Sequence, residues 1–125
     1  LFLERIQDQR PPIINRDGSQ IRDFVYVKDV VQANIMAMES NIKNAFINIG
    51  TGKTVSILEL ANQIIKSSNL KLNPIHREEL KGDVHDSKAD VKLAKKLLNW
   101  EYKIELKDWI NQTVSNLLKN KNANE

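Results

Sequence analysis

Arg22 is the side chain whose chemistry is easiest to assign from residue type and position. It lies directly before an apolar stretch, Phe24–Val27. A guanidinium group presents a planar fork of donors that suits the oxygens of a diphosphate. The alternative interpretation is a surface arginine that pairs with Asp17 or Asp23. Position alone favours the surface pair, so further sequence features are needed to decide between the two.

A second candidate is the stretch from Gly50 to Thr54, which reads GTGKT and invites comparison with a nucleotide-binding phosphate loop. That loop requires GxxxxGK followed by Ser or Thr, because its glycines let the backbone wrap around phosphate. The first glycine of the pattern would fall at position 47, which is Ile47. We therefore predict a turn that leads from a strand into a helix cap, and no phosphate loop.

Several other patterns that carry chemistry are missing from the sequence. Glycine occurs only at positions 18, 50, 52 and 82, which provides no glycine-rich turn for a dinucleotide pyrophosphate. His76 and His85 have no cysteine beside them, so a zinc site is not expected. Trp100 and Trp109 are expected to pack between helices, since stacking on nucleic acid needs several rings in a basic groove.

Composition places the chain among ordinary globular proteins. Its 125 residues have room for one domain and one core, with 41% hydrophobic and 28% charged residues. No apolar run approaches the roughly 18 residues of a membrane span, and no secretory signal is present at the start. The absence of cysteine excludes disulfides and fits a cytoplasmic protein. The net charge of +3 is too mild to indicate a nucleic-acid partner.

Local patterns in the first part of the chain predict short elements. Residues 1–9 have the apolar spacing of a helix end and begin as though inside a helix, which suggests a truncated or a processed chain. Asp17-Gly18 between apolar stretches indicates a β-hairpin. Phe24–Val27 is typical of a strand, and Asp29 is expected to cap the helix that runs to about Ser40.

The middle of the chain repeats this alternation. Phe46–Ile49 is predicted to be a short buried strand, and the glycine turn follows it. Ser56 and Glu59 have the spacing of a capping box, in which each side chain satisfies the other residue's backbone N–H. The helix that begins there is expected to bury four apolar residues: Leu60, Ala61, Ile64 and Ile65.

The last part predicts one more strand and two helices. The strand is expected around 74–77, and one helix starts at Asp90 with Leu93, Leu97 and Leu98 inward. The final helix runs from about Leu106 along an apolar stripe. The fold class is therefore α/β, with short strands alternating with helices and without a complete Rossmann domain. We expect one lobe over residues 1–118 and a frayed polar tail over residues 119–125.

Two segments together resemble a known family. The first, residues 22–56, reads RDFVYVKDVVQANIMAMESNIKNAFINIGTGKTVS, and the second, residues 82–90, reads GDVHDSKAD. They resemble the C-terminal, substrate-binding part of the extended short-chain dehydrogenases/reductases, which are sugar-nucleotide epimerases and dehydratases. Phe24 and Val25 are more similar to the UDP-glucose 4-epimerase group, since dehydratases more often have Arg-Asp-Trp there. The resemblance implies a nucleoside-diphosphate sugar as substrate.

The resemblance also implies roles for particular residues. Arg22 corresponds to the arginine that binds the nucleotide phosphates, which reverses the preference for a surface pair. Ile13 and Ile14 correspond to the segment that lines the nucleotide base, although the turn after them reads Arg-Asp-Gly where the family usually has Gly-Asp-Gly. Asp83 corresponds to the acid that accepts from the ribose hydroxyls.

One basic residue of the family pattern is replaced in this chain. Many relatives have an arginine three residues before the acid, and this sequence has Leu80 there. Lys81 or Arg77 is the residue that would substitute for it from a neighbouring position. Relatives often have a basic residue at position 85, which is His85 in this chain.

The family's chemistry requires residues that this chain lacks. In the family, a Tyr-x-x-x-Lys pair carries out proton transfer beside NAD, but Tyr26 and Tyr102 are followed four residues later by Val30 and Leu106. The resemblance therefore implies NAD in the parent enzyme and none bound to this fragment.

We expect two partners, a nucleoside-diphosphate sugar and the missing N-terminal Rossmann half. Without that half, the apolar surface that it would cover is exposed, so self-association with a second copy of the chain is also expected. Neither nucleic acid nor a membrane is expected as a partner. The alternatives are a non-catalytic α/β interaction module or remnant and the corresponding lobe of a sugar-nucleotide 4,6-dehydratase.

Overall fold

The computed structural model describes residues 1–78 and 85–122 of the chain, with side chains described up to residue 120. The chain contains five helices and four strands in those ranges: α1 (Phe2–Gln7), β1 (Ile13–Asn15), β2 (Ile21–Arg22), α2 (Val27–Glu39), β3 (Val55–Ser56), α3 (Ile57–Ser68), β4 (Ile75–Arg77), α4 (Lys92–Leu98) and α5 (Leu106–Asn122). β1 pairs with β4 and β2 with β3, in two two-stranded sheets. This is the expected α/β class. None of the helices in the described ranges has the length and apolarity that crossing a bilayer would require.

The chain divides into two compact units. The first unit comprises Leu1–Gln20, Ser56–His85 and Lys107–Glu125, and the second comprises Ile21–Val55 and Asp86–Leu106. Each unit is therefore built from segments that are distant in the sequence.

The first unit is organised around the parallel pair of β1 and β4, in which Ile13 lies opposite Ile75 and Asn15 opposite Arg77. α3 packs against α1 and β1. The buried apolar residues of this unit come from all of its helices and from β1: Ile6, Ile14, Ala61, Ile64, Ile65, Ile110 and Val114. The β4 strand and the apolar faces of α3 and α5 were predicted from the sequence and are confirmed.

The start of α3 is fixed by a capping box, as the sequence predicts. Ser56 Oγ accepts from Glu59 N–H at 3.1 Å, and Glu59 Oε2 accepts from Ser56 N–H at 2.8 Å. The next free donors, the N–H groups of Ile57 and Leu58, are satisfied by the carbonyls of Gln20 and Gly18 at 3.0 Å. These bonds hold residues 18–20 against the N-terminus of α3.

The second unit has its own core, in which α2 lies against α4. Four residues are buried there: Ala33, Ala94, Leu98 and Trp100. The predicted inward positions of α4 are correct only for Leu98. Leu93 and Leu97 are 45% and 37% exposed, and the small Ala94 provides the close contact instead.

The predicted β-hairpin at Asp17-Gly18 is wrong, although the turn itself forms. Asp17 Oδ1 accepts from the N–H and the hydroxyl of Ser19 at 3.0 and 2.7 Å, and Gly18 has a positive φ of 77°. β1 pairs with β4 and β2 with β3, so the strands on the two sides of the turn join different sheets. Burial of β1 against α3 determines its partner, whereas turn chemistry alone cannot.

The predicted strand over Phe24–Val27 and the predicted cap at Asp29 are also wrong. α2 already begins at Val27, with Tyr26 in the N-cap position, so Asp29 lies in the first turn. Its carboxylate accepts from the backbone N–H groups of Lys103 and Ile104 at 3.0 and 3.1 Å. A tertiary partner has therefore replaced the local capping role.

Residues 46–49 form no strand, contrary to the prediction, and Phe46 is 98% exposed. A β-type sequence becomes a strand only where a neighbouring strand accepts and donates its backbone hydrogen bonds. The helix before this segment also presents an apolar stripe to solvent, which we call the α2 stripe: Val27, Val31, Ile35 and Met38. Both features belong to the second unit.

Candidate nucleotide-sugar site

Arg22 is half-buried and belongs to β2, not to the mouth of a later strand. Its Nη1 donates to the carbonyl oxygen of Ile21 at 2.8 Å. The same carbonyl accepts from Ser87 N–H at 3.2 Å, and Ile21 forms a parallel bridge with Asp86. Asp86 and Ser87, in the second half of the GDVHDSKAD segment, therefore lie beside the strand that carries Arg22.

The residue after Arg22 holds the glycine turn. Asp23 Oδ1 accepts from the N–H of Thr51 at 2.9 Å and from its hydroxyl at 2.6 Å, while Asp23 Oδ2 accepts from Gly52 N–H at 2.8 Å. The turn does present backbone N–H groups to an anion, but the anion is an internal carboxylate. This agrees with the prediction that GTGKT is no phosphate loop. The role of Asp23 itself was missed, since a carboxylate that binds a turn 28 residues away leaves no local pattern.

The described glycines do not offer a cradle for the pyrophosphate of NAD. A Cβ at Gly18 would lie 2.8 Å from Ile14 Cγ2, and a Cβ at Gly50 would lie 2.5 Å from Ala89 Cβ. The space at both glycines is thus filled by the protein itself, and a Cβ at Gly52 would meet Val91 at 3.3 Å. The glycines of the described residues therefore provide no turn on which that pyrophosphate would lie. No cluster of three His, Asp or Glu side chains suited to a metal ion occurs in residues 1–78 and 85–122.

Three of the predicted site residues lie together on the paired strands of the first unit. Ile14 is 1% exposed, so the whole residue is part of the core. Ile13 is half-buried and Arg77 is exposed. Arg16 N–H donates to the Arg77 carbonyl at 2.8 Å, which continues the β1–β4 pairing by one residue.

The turn after β1 is joined to the segment that follows Asp83 in the sequence. His85 Nε2 lies 3.3 Å from Ser19 Oγ, and Ser19 in turn donates to Asp17. The hydrogen bonds from Ser19 hold the pKa of the Asp17 carboxyl below its usual value of 3.8. Ser19 was not among the predicted residues, although Asp-Gly-Ser is a recognisable turn sequence. Asp83 and Lys81 lie outside the described residues.

A charged cluster stabilises the chain just after the glycine turn. Lys53 Nζ lies 2.8 Å from Glu105 Oε1, and the Tyr102 hydroxyl donates to the same oxygen at 2.9 Å. The hydrogen bonds from Lys53 and Tyr102 lower the pKa of Glu105, and the bond to Glu105 raises the pKa of Lys53. All three groups belong to the second unit and are at its surface, so the cluster supports the loop without forming a buried site.

Comparison with known proteins connects this arrangement to one family. Residues 1–50 match the model of the NAD dependent epimerase/dehydratase family. A protein of Methanocaldococcus jannaschii, provisionally named UDP-glucose 4-epimerase, is 40% identical over 122 residues, which are 98% of this chain and 39% of that protein. The chain spans about two fifths of that relative's length.

Two solved structures show the same fold. The UDP-glucose 4-epimerase of Thermotoga maritima, crystallised with UDP-glucose, has a TM-score of 0.88 and 36% identity over 95% of this chain and 38% of its own. The UDP-glucuronic acid 4-epimerase of Bacillus cereus, in complex with UDP-glucuronic acid and NAD, has a TM-score of 0.83 and 26% identity over 94% and 38%. Sequence and fold thus agree over nearly the whole chain, which belongs to the NAD-dependent epimerase/dehydratase family.

Proposed function

We propose that this chain is the nucleotide-sugar-binding part of an NAD-dependent nucleoside-diphosphate-sugar 4-epimerase, and that Arg22 binds the substrate diphosphate. The observation that carries the proposal is the placement of Arg22 on a short strand whose neighbours are the glycine turn and the chain after Asp83. Asp23, the residue after Arg22, binds that turn.

The guanidinium of Arg22 suits an anionic ligand with two phosphate groups. A sugar diphosphate brings roughly two negative charges, and each charge-assisted bond from a guanidinium contributes on the order of 1.5–3 kcal/mol. Lysine would supply the charge but not the planar fork, so arginine is the side chain that matches two phosphate oxygens at once.

The strands of the first unit are proposed to bind the nucleoside. Ile14 is buried as a whole residue, so the contact with the base is proposed for its neighbour Ile13, which is half-buried. Asp83 would accept from the ribose hydroxyls, and Arg77 or Lys81 would provide a second positive charge for the phosphates.

The oxidation and reduction of the sugar are assigned to the rest of the parent enzyme. NAD supplies reversible hydride transfer in this family, and the described glycines of this chain offer no turn for its pyrophosphate. The part played by this chain is to bind and orient the nucleotide sugar. The family relatives that match this chain are about 2.5 times longer, which leaves room for a separate cofactor-binding half.

The α2 stripe and the Phe46 segment are proposed to be covered by that other half. The stripe combines side chains at intervals of three and four residues, which is the spacing of a helix face that packs against another element. Met38 is 84% exposed and Phe46 98%. In the isolated chain, this surface would lead to self-association instead.

A pair of titrations tests the proposed function. The 15N-labelled chain is titrated separately with UDP-glucose and with NAD while amide chemical shifts are followed. We expect saturable shifts with UDP-glucose, largest near Arg22 and in β1, and no saturable binding of NAD. Saturable NAD binding at micromolar concentration would contradict the assignment of the cofactor to another half. The absence of binding by UDP-glucose would favour the non-catalytic interaction module.

A further inference from the structure

We propose that Asp23 is a positioning residue, which fixes Arg22 in the orientation that binds the diphosphate. The inference builds on the proposed function, because it gives Arg22 its ligand. It adds a residue that does not contact the ligand but acts through its neighbour.

All the hydrogen-bond partners shown for the Asp23 carboxylate are donors of the glycine turn. Three donors converge on one carboxylate: the N–H and hydroxyl of Thr51 and the N–H of Gly52, all at 2.6 to 2.9 Å. An ionised carboxylate only accepts hydrogen bonds and has about four acceptor positions, so it suits a site in which every partner is a donor. Most polar replacements for Asp23 would carry a donor group themselves and would place it against the donors of Thr51 and Gly52.

The direction of the Arg22 side chain depends on that of Asp23. In extended backbone, successive side chains point to opposite sides of the chain. Arg22 is the last residue of β2, and Asp23 follows it directly. Once Asp23 is held against the glycine turn, Arg22 is directed to the opposite side. On the other side of Arg22 in the sequence, the Ile21 carbonyl accepts a hydrogen bond from Ser87 N–H. The residues before and after Arg22 are therefore both held by hydrogen bonds.

The glycine turn has the shape that the Asp23 carboxylate requires. A Cβ added at Gly50 would lie 2.8 Å from Asp23 Oδ2 and 2.5 Å from Ala89 Cβ, so only glycine leaves room for this approach. Gly52, whose N–H is one of the donors, has a φ of 71°, which most other residues adopt only with strain. The conformation of the glycine turn and the position of the Asp23 carboxylate therefore depend on each other.

The experiment uses the 125-residue chain and compares Asp23→Asn and Thr51→Val with the wild type. Asp90→Asn is the matched control, since Asp90 also belongs to the second unit and accepts one backbone N–H, that of Lys92 at 3.1 Å. Two quantities are measured: the 15N relaxation of the Arg22 Nε–H group without ligand, and the affinity for UDP by NMR titration. The relaxation measurement needs no ligand, so it decides on Asp23 even if the proposed function fails.

We expect Asp23→Asn to make the Arg22 side chain more mobile and to weaken UDP binding by about tenfold. Thr51→Val keeps the backbone N–H bond to Asp23 but removes the hydroxyl, which donates to Asp23 and also bonds the N–H and carbonyl of Lys53. It should have the same effect on Arg22 and on UDP binding in smaller measure, about two- to threefold. Asp90→Asn should match the wild type in both measurements. Unchanged Arg22 relaxation in both Asp23→Asn and Thr51→Val would overturn the positioning role. Failure of the wild-type chain to bind UDP would overturn the proposed function alone.

Discussion

Trp100 donates a hydrogen bond from its indole Nε1 to the backbone carbonyl of Asp29 at 3.0 Å. The side chain of Asp29 has different partners, since its Oδ2 accepts from the N–H groups of Lys103 and Ile104. Asp29 is only 6% exposed, and both ends of the residue are used. The start of α2 is thereby attached to the loop before α5, within the second unit.

Removing the Asp29 carboxylate should therefore destabilise the fold. Asp29→Ala leaves two backbone N–H groups without their acceptor, which we expect to lower the free energy of unfolding by about 2–3 kcal/mol. Chemical denaturation measures the loss. Asp90→Ala serves as the control, because Asp90 is exposed and accepts a single N–H. Equal stability of the Asp29→Ala and Asp90→Ala variants would show that the buried contacts contribute little.

The capping box of α3 should make stability depend on pH in the acid range. The hydrogen bonds from the backbone and hydroxyl of Ser56 hold the pKa of Glu59 below its usual value of 4.5. A carboxyl whose pKa is lower in the folded state stabilises the fold above pH 4.5, and this contribution is lost as the pH falls through the folded pKa. Denaturation at several pH values should show it.

Glu59→Gln is the control for the capping prediction. Glutamine can still accept from Ser56 N–H but does not titrate. The difference in stability between wild type and Glu59→Gln should therefore shrink on acidification below pH 4.5. A difference that stays constant over this range would contradict the assignment.

Gly50→Ala should disturb the second unit by overpacking. The new methyl group would lie 2.5 Å from Ala89 Cβ and 2.8 Å from Asp23 Oδ2, and we expect a loss of about 1–3 kcal/mol. The double variant Gly50→Ala with Ala89→Gly removes the closer contact and should recover part of the stability. If Ala89→Gly gives no recovery in thermal melts, the close approach of residues 50 and 89 is not the cause.

The α2 stripe should make the isolated chain associate with itself. Sedimentation velocity at increasing concentrations should show association, and Ile35→Lys with Met38→Lys should reduce it by breaking the apolar face. Gln32→Lys adds one of these two charges on the same helix outside the stripe and should leave association unchanged. A wild-type chain that stays monomeric at high concentration, with a constant melting point, would contradict this expectation.

Local chemistry explains which parts of the fold were predictable from the sequence. The capping box of Ser56 and Glu59 is confirmed because both partners lie within three residues of each other. The apolar face of α5 follows from local periodicity in the same way. The hairpin at Asp17-Gly18 failed because the partner of β1 is determined by packing some 60 residues further along the chain.

The sequence predicted individual candidate residues of the site but not the tertiary contacts that position them. The sequence singled out Arg22 by its type and surroundings, but it placed Arg22 before a strand and not on one. Asp29 was assigned a local cap because its tertiary partners, the N–H groups of residues 103 and 104, carry no side-chain signature. Asp23 was treated only as a pairing partner for Arg22 for the same reason. Its donors are largely backbone groups in a turn 28 residues away.

The most direct test of the account is the affinity of this chain for UDP with and without the Arg22 guanidinium, measured by NMR titration. Arg22→Ala should weaken binding by roughly tenfold to a hundredfold, and Arg22→Lys should recover little, because the planar fork is lost. Arg10→Ala is the matched control, since Arg10 is an exposed arginine that pairs with Asp8, and it should bind UDP like the wild type. If Arg22→Ala binds UDP with wild-type affinity, Arg22 is a surface arginine and the proposed diphosphate site is wrong.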